Sequence, residues 1–388
     1  MNILSTELIA IAPLIFLTIV SLIVLLVEAL VKQSGRFNYW ISIFGLIWTA
    51  YLGLRIMPLR GTAFNSMITI GGYSSYFTLI FCLAAIFTIL FSREYFNRQQ
   101  EKIGEFYLLI IFSTIGMMLM ASAADLILLF IGLELMSICL YVLAGYFRIR
   151  LLSNEAALKY FLLGAFATSF LLYGIALVYG ATGTTNINII IQHIANPGNS
   201  YLISVGIGLI LIGLAFKVGA VPFHMWVPDV YQGSPTPVSG FMATGAKAAA
   251  FSAFVILFIQ STSSEIKTIL ILLSALSMIA GNMIAISQNN VKRMLAYSSI
   301  AHAGYMLIGL ASANQLGRDG ILFYLLSYML MNVGAFAVIS LIETGEEKNL
   351  LFNDYNGLGA KKPALAAILS ILMFSLAGIP PFAGFFGK

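Results

Sequence analysis

The sequence predicts an all-α membrane fold, a polytopic transmembrane helical bundle, and three observations carry that prediction. Hydrophobic residues make up 60% of the chain and charged residues only 9%, against roughly 25% charged in an average soluble domain. Apolar runs of about 20 residues, enough to cross a hydrocarbon core of about 30 Å, recur from one end of the chain to the other. The segments between them are short, leaving no room for a separate soluble domain. A globular interior of this size could not hide that much apolar surface from water.

Taken in order, the first span covers 8–31; it is too long for a signal-peptide core and lacks a small-residue cleavage site after it. Hydropathy then places spans at 38–57, 72–92, 104–122, 125–147 and 153–180, followed by 200–224, 236–260, 267–286, 291–312, 320–342 and 363–388. Orientation follows from Lys and Arg in alternate connections. One set holds Lys32, Arg36, Arg93, Arg98, Lys102, Arg148, Arg150, Lys292, Arg293, Lys348, Lys361 and Lys362, and the other only Arg55, Arg60, Lys267 and Arg318. That asymmetry puts the N-terminus on the outer side. The net charge of +5 is dispersed over these connections, so it is a topology signal and implies no nucleic-acid partner. Cys82 and Cys139 sit in apolar runs without a CxxC partner, which excludes a disulfide framework and an iron–sulfur site. The pattern contains no P-loop, metal-ligand cluster or nucleophilic triad.

The remaining basic residues, Lys159, Lys217, Lys247 and Lys388, fall inside spans, as does Glu134. A charge near the bilayer centre costs about 2.5–3.5 kcal/mol on insertion scales, so each needs a partner, a cavity or a task. Glu134 lies about ten residues into its span, too deep to reach the surface, and its structural alternative is a hydrogen bond to a neighbouring helix. Lys217 precedes Gly219 and Pro222; the proline removes a backbone hydrogen bond and breaks the helix. Broken helices at membrane depth occur where protein or water surrounds them. Lys247 is flanked by Gly245, Ala246, Ala248 and Ala249, small residues that leave room for water or a close helix. Lys388 follows a second break at Gly378–Ile379–Pro380–Pro381. Lys159, near a span end, could equally reach the surface. His224 and His302 are secondary candidates for relaying protons, with packing as the alternative for each. Gly206, Gly208 and Gly213 lie wholly within an apolar span with no strand before them, so helix packing explains them better than a nucleotide fingerprint.

The two breaks, five spans apart, suggest a duplication in which the second copy lies upside down: two inverted five-helix repeats. The expected division is an N-terminal three-helix segment over 1–103, a first repeat over 104–262 and a second over 263–388. Because Lys388 ends a span without a polar tail, further helices are expected beyond it.

The stretches Gly132–Gly145 (GLELMSICLYVLAG), Lys217–Val238 (KVGAVPFHMWVPDVYQGSPTPV) and Val291–Gly304 (VKRMLAYSSIAHAG) resemble the antiporter-like membrane subunits of respiratory complex I, NADH–quinone oxidoreductase, and most of all the N-type group (subunit 2). The resemblance covers nearly the whole chain. It implies a functional glutamate on the fifth helix and lysines on the broken seventh, the eighth and the broken twelfth, which here are Glu134, Lys217, Lys247 and Lys388. The M-type group has glutamate at the last position, so Lys388 points away from it. Against the L-type group the fifth-helix motif decides. The resemblance further implies proton translocation through buried lysines and water, coupled to electron transfer in other subunits. Quinone, iron–sulfur clusters and FMN would then belong to those partners, with no cofactor or metal in this chain. Its partners would be the other membrane subunits and the lipid bilayer, quinone being reached only through the complex, in a bacterial inner membrane. The electron donor (NADH, NADPH or ferredoxin) stays open. A subunit of a multi-subunit sodium/proton antiporter and a purely structural membrane subunit are the alternatives.

Overall fold

In the computed structural model of the chain, residues 7–9, 11–32, 34–101, 103–194, 201–259, 263–344 and 349–388 are described. Lys102, Lys348 and the expected span ends at 200 and 260 lie outside them. Among the described residues eleven helices are long and apolar enough to cross a membrane: α1 (Ala12–Leu30), α2 (Gly35–Ile56), α3 (Gly72–Gln99), α4 (Gly104–Ser122), α5 (Leu126–Ala144), α6 (Leu151–Thr182), α7a (Tyr201–Val218), α8 (Thr236–Phe258), α9 (Ser264–Ile286), α10 (Val291–Ala311) and α11 (Gln315–Ile342). The seventh span resumes after its break as α7b (Trp226–Gly233). The twelfth is split into α12a (Pro363–Ala377) and α12b (Ala383–Gly387). The chain is an integral, multi-pass helical membrane protein.

Local chemistry starts and stops these helices. Asp125 caps α5 by accepting from the Ile127 N–H at 2.8 Å, and Asn290 caps α10 by accepting from the N–H groups of Lys292 and Arg293. Pro363 occupies the first position of α12a, where its missing N–H has no helical acceptor to lose. Short elements lie between the spans. A hairpin pairs β1 (Gly61–Ala63) with β2 (Ile68–Ile70), and a short helix covers Ile187–Ile194. Single bridges join Ile68 to Ala123 and Asp125 to Asn186, so these connections cover one face of the bundle together. That face lies opposite the Lys/Arg-rich connections.

Close helix approach explains the glycines. A Cβ on Gly206 would stand 2.8 Å from the Gly174 carbonyl, and one on Gly213 would stand 2.6 Å from Leu171 Cβ. These are close contacts of α7a with α6, the first with its backbone and the second with a side chain, that only small residues permit. Gly208 faces open space and takes no part. Burial then locates the centre: 89% of the α8 window is enclosed by protein, against 28% for α1 and α9.

Several ends differ from the sequence expectation. Helix α3 continues past residue 92 to Gln99, so Arg93 and Arg98 belong to a helix rather than a connection. Arg98 lies 3.4 Å from Glu94 one turn earlier on the same helix, and Arg93 sits over the Tyr39 ring of α2, so both charges find partners within the bundle. Lys292 is a larger departure. Counted as a loop residue, it is wholly buried at the second position of α10 and donates to the Ser234 carbonyl at 2.7 Å.

Candidate functional site

Lys217 sits at the end of α7a, one residue before the chain turns. Gly219 adopts φ +72°, the left-handed conformation that glycine takes without penalty, and Ala220 N–H bonds back to the Ala215 carbonyl at 2.9 Å. Side chains satisfy groups that the break frees: the Trp226 indole N–H donates to the Phe216 carbonyl and Val221 N–H donates to Ser277 Oγ, both at 2.9 Å. The break is thereby rigidly held, with Trp226 stacked on Tyr160 at 4.5 Å.

The Lys217 ammonium is buried and donates to Ser137 Oγ at 2.8 Å and to the Tyr141 hydroxyl at 3.2 Å, both on α5. Ser137 donates its own O–H to the Leu133 carbonyl, so its oxygen is free to accept. Glu134 lies one turn earlier on α5, within electrostatic reach of Lys217, and its Oε1 is buried without a protein partner. Among the described residues neither Glu134 nor Lys217 is in an ion pair. The pair expected from the sequence is therefore held apart here, with the two hydroxyls taking the ammonium.

Lys247 lies in the most enclosed helix, directly after a π-helical turn at Met242–Ala246. Such wide turns inside α-helices often mark functional positions. Its ammonium donates to Ser299 Oγ at 2.8 Å and to the Ser299 carbonyl on α10. Ser299 also lies beside the Tyr231 hydroxyl; the Tyr231 ring meets Trp226 edge-on at 6.2 Å, Trp226 stacks on Tyr160, and Tyr160 meets Tyr141 edge-on at 4.8 Å. A line of tyrosine, tryptophan and serine side chains thus runs from Lys217 to Lys247.

The line continues beyond Lys247. Its ammonium lies 5.9 Å from the centre of the Tyr328 ring, which in turn is 5.0 Å from the His302 ring. His302 is buried and shares a short hydrogen bond through Nδ1 with the Tyr324 hydroxyl. Tyr305, 5.5 Å from His302, carries the Lys388 ammonium 4.9 Å above its ring. Lys388 is otherwise exposed, but its Nζ turns back to the Leu376 carbonyl at 2.7 Å. There the unpaired carbonyls at a helix C-terminus attract a cation. The buried hydroxyl of Tyr328 has no protein partner, and a buried hydroxyl on such a line calls for water.

Lys159 and His224 stand apart. Lys159 is 40% exposed and pairs with Glu155 and with Asp229, which also binds Arg293 at 2.6 Å; the network joins α6, α7b and α10. His224 lies in the break, half-buried, with Nδ1 unpartnered. Sequence reasoning overlooked Glu343, which is buried at the end of α11 and accepts from Tyr95 at 3.1 Å and from Thr236 at the start of α8. A carboxylate at a span end reads as a surface residue, and only the packing of α3 against α11 encloses it. It also overlooked Ser299 and Tyr324, since hydroxyls carry no charge signal in a hydropathy reading.

Comparison with known proteins places this arrangement in a class. A family described as the NADH:quinone oxidoreductase/Mrp antiporter membrane proteins matches residues 123–388, and the chain belongs to that family. Subunit N of NADH-quinone oxidoreductase from Trichlorobacter lovleyi is 46% identical over 384 residues, covering 97% of this chain and 79% of that relative. Among solved structures, a chain of respiratory complex I from Thermus thermophilus, with bound aureothin, superposes with a TM-score of 0.83 at 40% identity, covering 97% of this chain and 80% of that one. A chain of the membrane-bound sulfane sulfur reductase, an archaeal respiratory membrane complex, superposes with a TM-score of 0.85 at 26% identity, covering 98% and 80%. Within its family the chain is thus a homologue of the N subunits.

Proposed function

We propose that this chain is a proton-translocating membrane subunit of a complex I-type oxidoreductase, carrying protons along Lys217, Lys247, His302 and Lys388 while electron transfer proceeds in other subunits. The observation that supports this most is the row of buried lysine, serine, tyrosine and histidine side chains through the centre of the bundle. An ammonium in an apolar interior keeps its proton when a carboxylate is near and yields it when that countercharge recedes. Glu134 supplies the countercharge for Lys217. As the two separate, Ser137 and Tyr141 take over the ammonium's hydrogen bonds, and its proton passes through water and hydroxyls to Lys247 once that lysine has released its own. Lys247 then hands a proton past His302 towards Lys388. No electron moves in this chain; quinone, iron–sulfur clusters and FMN belong to its partner subunits. In this reading Lys159 anchors α7b, and His224 borders the break beside the path.

The same reading places the N-terminus on the outer side of a bacterial inner membrane, from the bias of basic residues. It divides the chain into 1–103 and two inverted repeats, 104–262 and 263–388. The matching breaks in α7 and α12 support that division.

Proton pumping by the reconstituted complex carrying Lys217→Ala tests the route, with quinone reduction recorded on the same vesicles. Pumping and coupled turnover should both collapse while the complex stays assembled. Unchanged pumping per electron would leave Lys217 a structural residue. Sodium-dependent exchange without a redox substrate would favour the antiporter alternative.

A further inference from the structure

The face opposite the Lys/Arg-rich connections holds a cavity of about 840 Å³ between the hairpin, the Ile187–Ile194 helix and the ends of α3, α8 and α11. Its walls are largely apolar, formed by Ile70, Ile191, Val255, Ile259 and Leu322, and its charged lining residues are Arg60 and Arg318. No carboxylate lines it among the described residues. Among the described residues neither arginine is in an ion pair.

Consecutive residues of α3 each meet one of the two guanidinium groups that line the cavity. Arg60 lies against Gly72, where a Cβ would stand 2.2 Å from its Nη1, and that nitrogen donates to the carbonyls of Met57 and Leu59. Arg318 packs over the Tyr73 ring at 5.7 Å, and the Tyr73 hydroxyl is tied to the Ser252 carbonyl at 2.9 Å. Only one of Arg60's nitrogens is engaged, and the planar fork of a guanidinium suits phosphate oxygens.

We propose that this cavity binds an anionic phospholipid, with its phosphate on Arg60 and Arg318 and an acyl chain along Ile70, Ile191 and Val255. A small inorganic anion would use the arginines but gain nothing from the isoleucine wall, whereas an amphiphile uses both. The site lies at the ends of the spans, where a lipid headgroup resides. The proposal needs only a membrane-spanning chain and stands whether or not the proton route does.

The test is native mass spectrometry of the detergent-purified complex, with phosphatidylglycerol and phosphatidylcholine offered in competition. Arg60→Gln/Arg318→Gln should weaken retention of phosphatidylglycerol by roughly 30-fold, at the scale of one anionic-lipid contact per arginine. Ile191→Trp leaves the arginines in place and fills the acyl wall, so it should also shed the lipid; this variant decides the matter if the double variant fails to assemble. Undiminished phosphatidylglycerol in either assembled variant overturns the proposal. So does displacement of the bound anion by millimolar inorganic phosphate with Ile191→Trp unaffected, or an acidic segment of a neighbouring subunit found in the cavity.

Discussion

The breaks in α7 and α12 share one backbone design and use it differently. Each half-helix ends on a glycine in the left-handed region, Gly219 at φ +72° and Gly378 at φ +83°. Each closes with the same long-range turn, Ala220 N–H to the Ala215 carbonyl and Ile379 N–H to the Phe374 carbonyl. The lysines approach from opposite directions. Lys217 leaves the helix before the turn and reaches away from it to α5, while Lys388 follows the break and bends back to the Leu376 carbonyl. One break presents its ammonium to neighbouring side chains, and the other holds its ammonium against its own helix end. The turn therefore fixes where a helix stops, and the position of the lysine relative to the turn decides what the charge can meet.

Substitutions at the two glycines should separate these roles most strongly. Gly219→Ala pays for a left-handed alanine, about 1–2 kcal/mol, and places a Cβ 2.7 Å from Val227 on α7b, adding about 1–3 kcal/mol of overpacking. Gly378→Ala carries the first cost, but its Cβ meets the flexible Lys388 side chain at 3.0 Å. Thermal unfolding of the purified complex should rank Gly219→Ala clearly below Gly378→Ala, and equal losses would show that the breaks are mechanically alike. Next in size, Ser137→Ala removes an acceptor of the Lys217 ammonium, worth about 1.5–3 kcal/mol. It should slow pumping while leaving the ratio of protons to electrons intact, and an unchanged rate would remove the serine from the route. The smallest effect is expected at Lys159→Met. Its ion pairs are partly exposed and worth about 0.2–1 kcal/mol, so stability should drop slightly and pumping should persist; loss of pumping would return Lys159 to the path.

The spans were legible because a bilayer demands long apolar helices, and the breaks were legible because a glycine followed within three residues by proline, as at Gly219–Pro222 and Gly378–Pro380, interrupts a helix. Glu134, Lys217 and Lys247 stood out through the cost of charge at depth. What packing alone determines was not legible. Lys292 and Arg293 are adjacent basic residues at a helix start, yet the first is buried against Ser234 and the second reaches Asp229. The line of side chains through Tyr231 and Ser299 depends on which faces of α7b and α10 meet. The hairpin at Gly61–Ala63 and Ile68–Ile70 is too short to leave a periodic trace.

The wide turn at Met242–Ala246 has a consequence for the bearing of Lys247. An α-helix advances about 100° per residue, and a π turn accommodates one residue more than the regular spiral would. Everything after Ala246 is thus rotated by about that angle relative to an uninterrupted helix starting at Thr236. Laying the same residues in a regular α-helix would lengthen α8 by only about 1.5 Å, a distance the bilayer would scarcely register, yet it would swing the ammonium away from Ser299. The aim of this charge is set by the backbone turn that precedes it, not by any side chain that it touches.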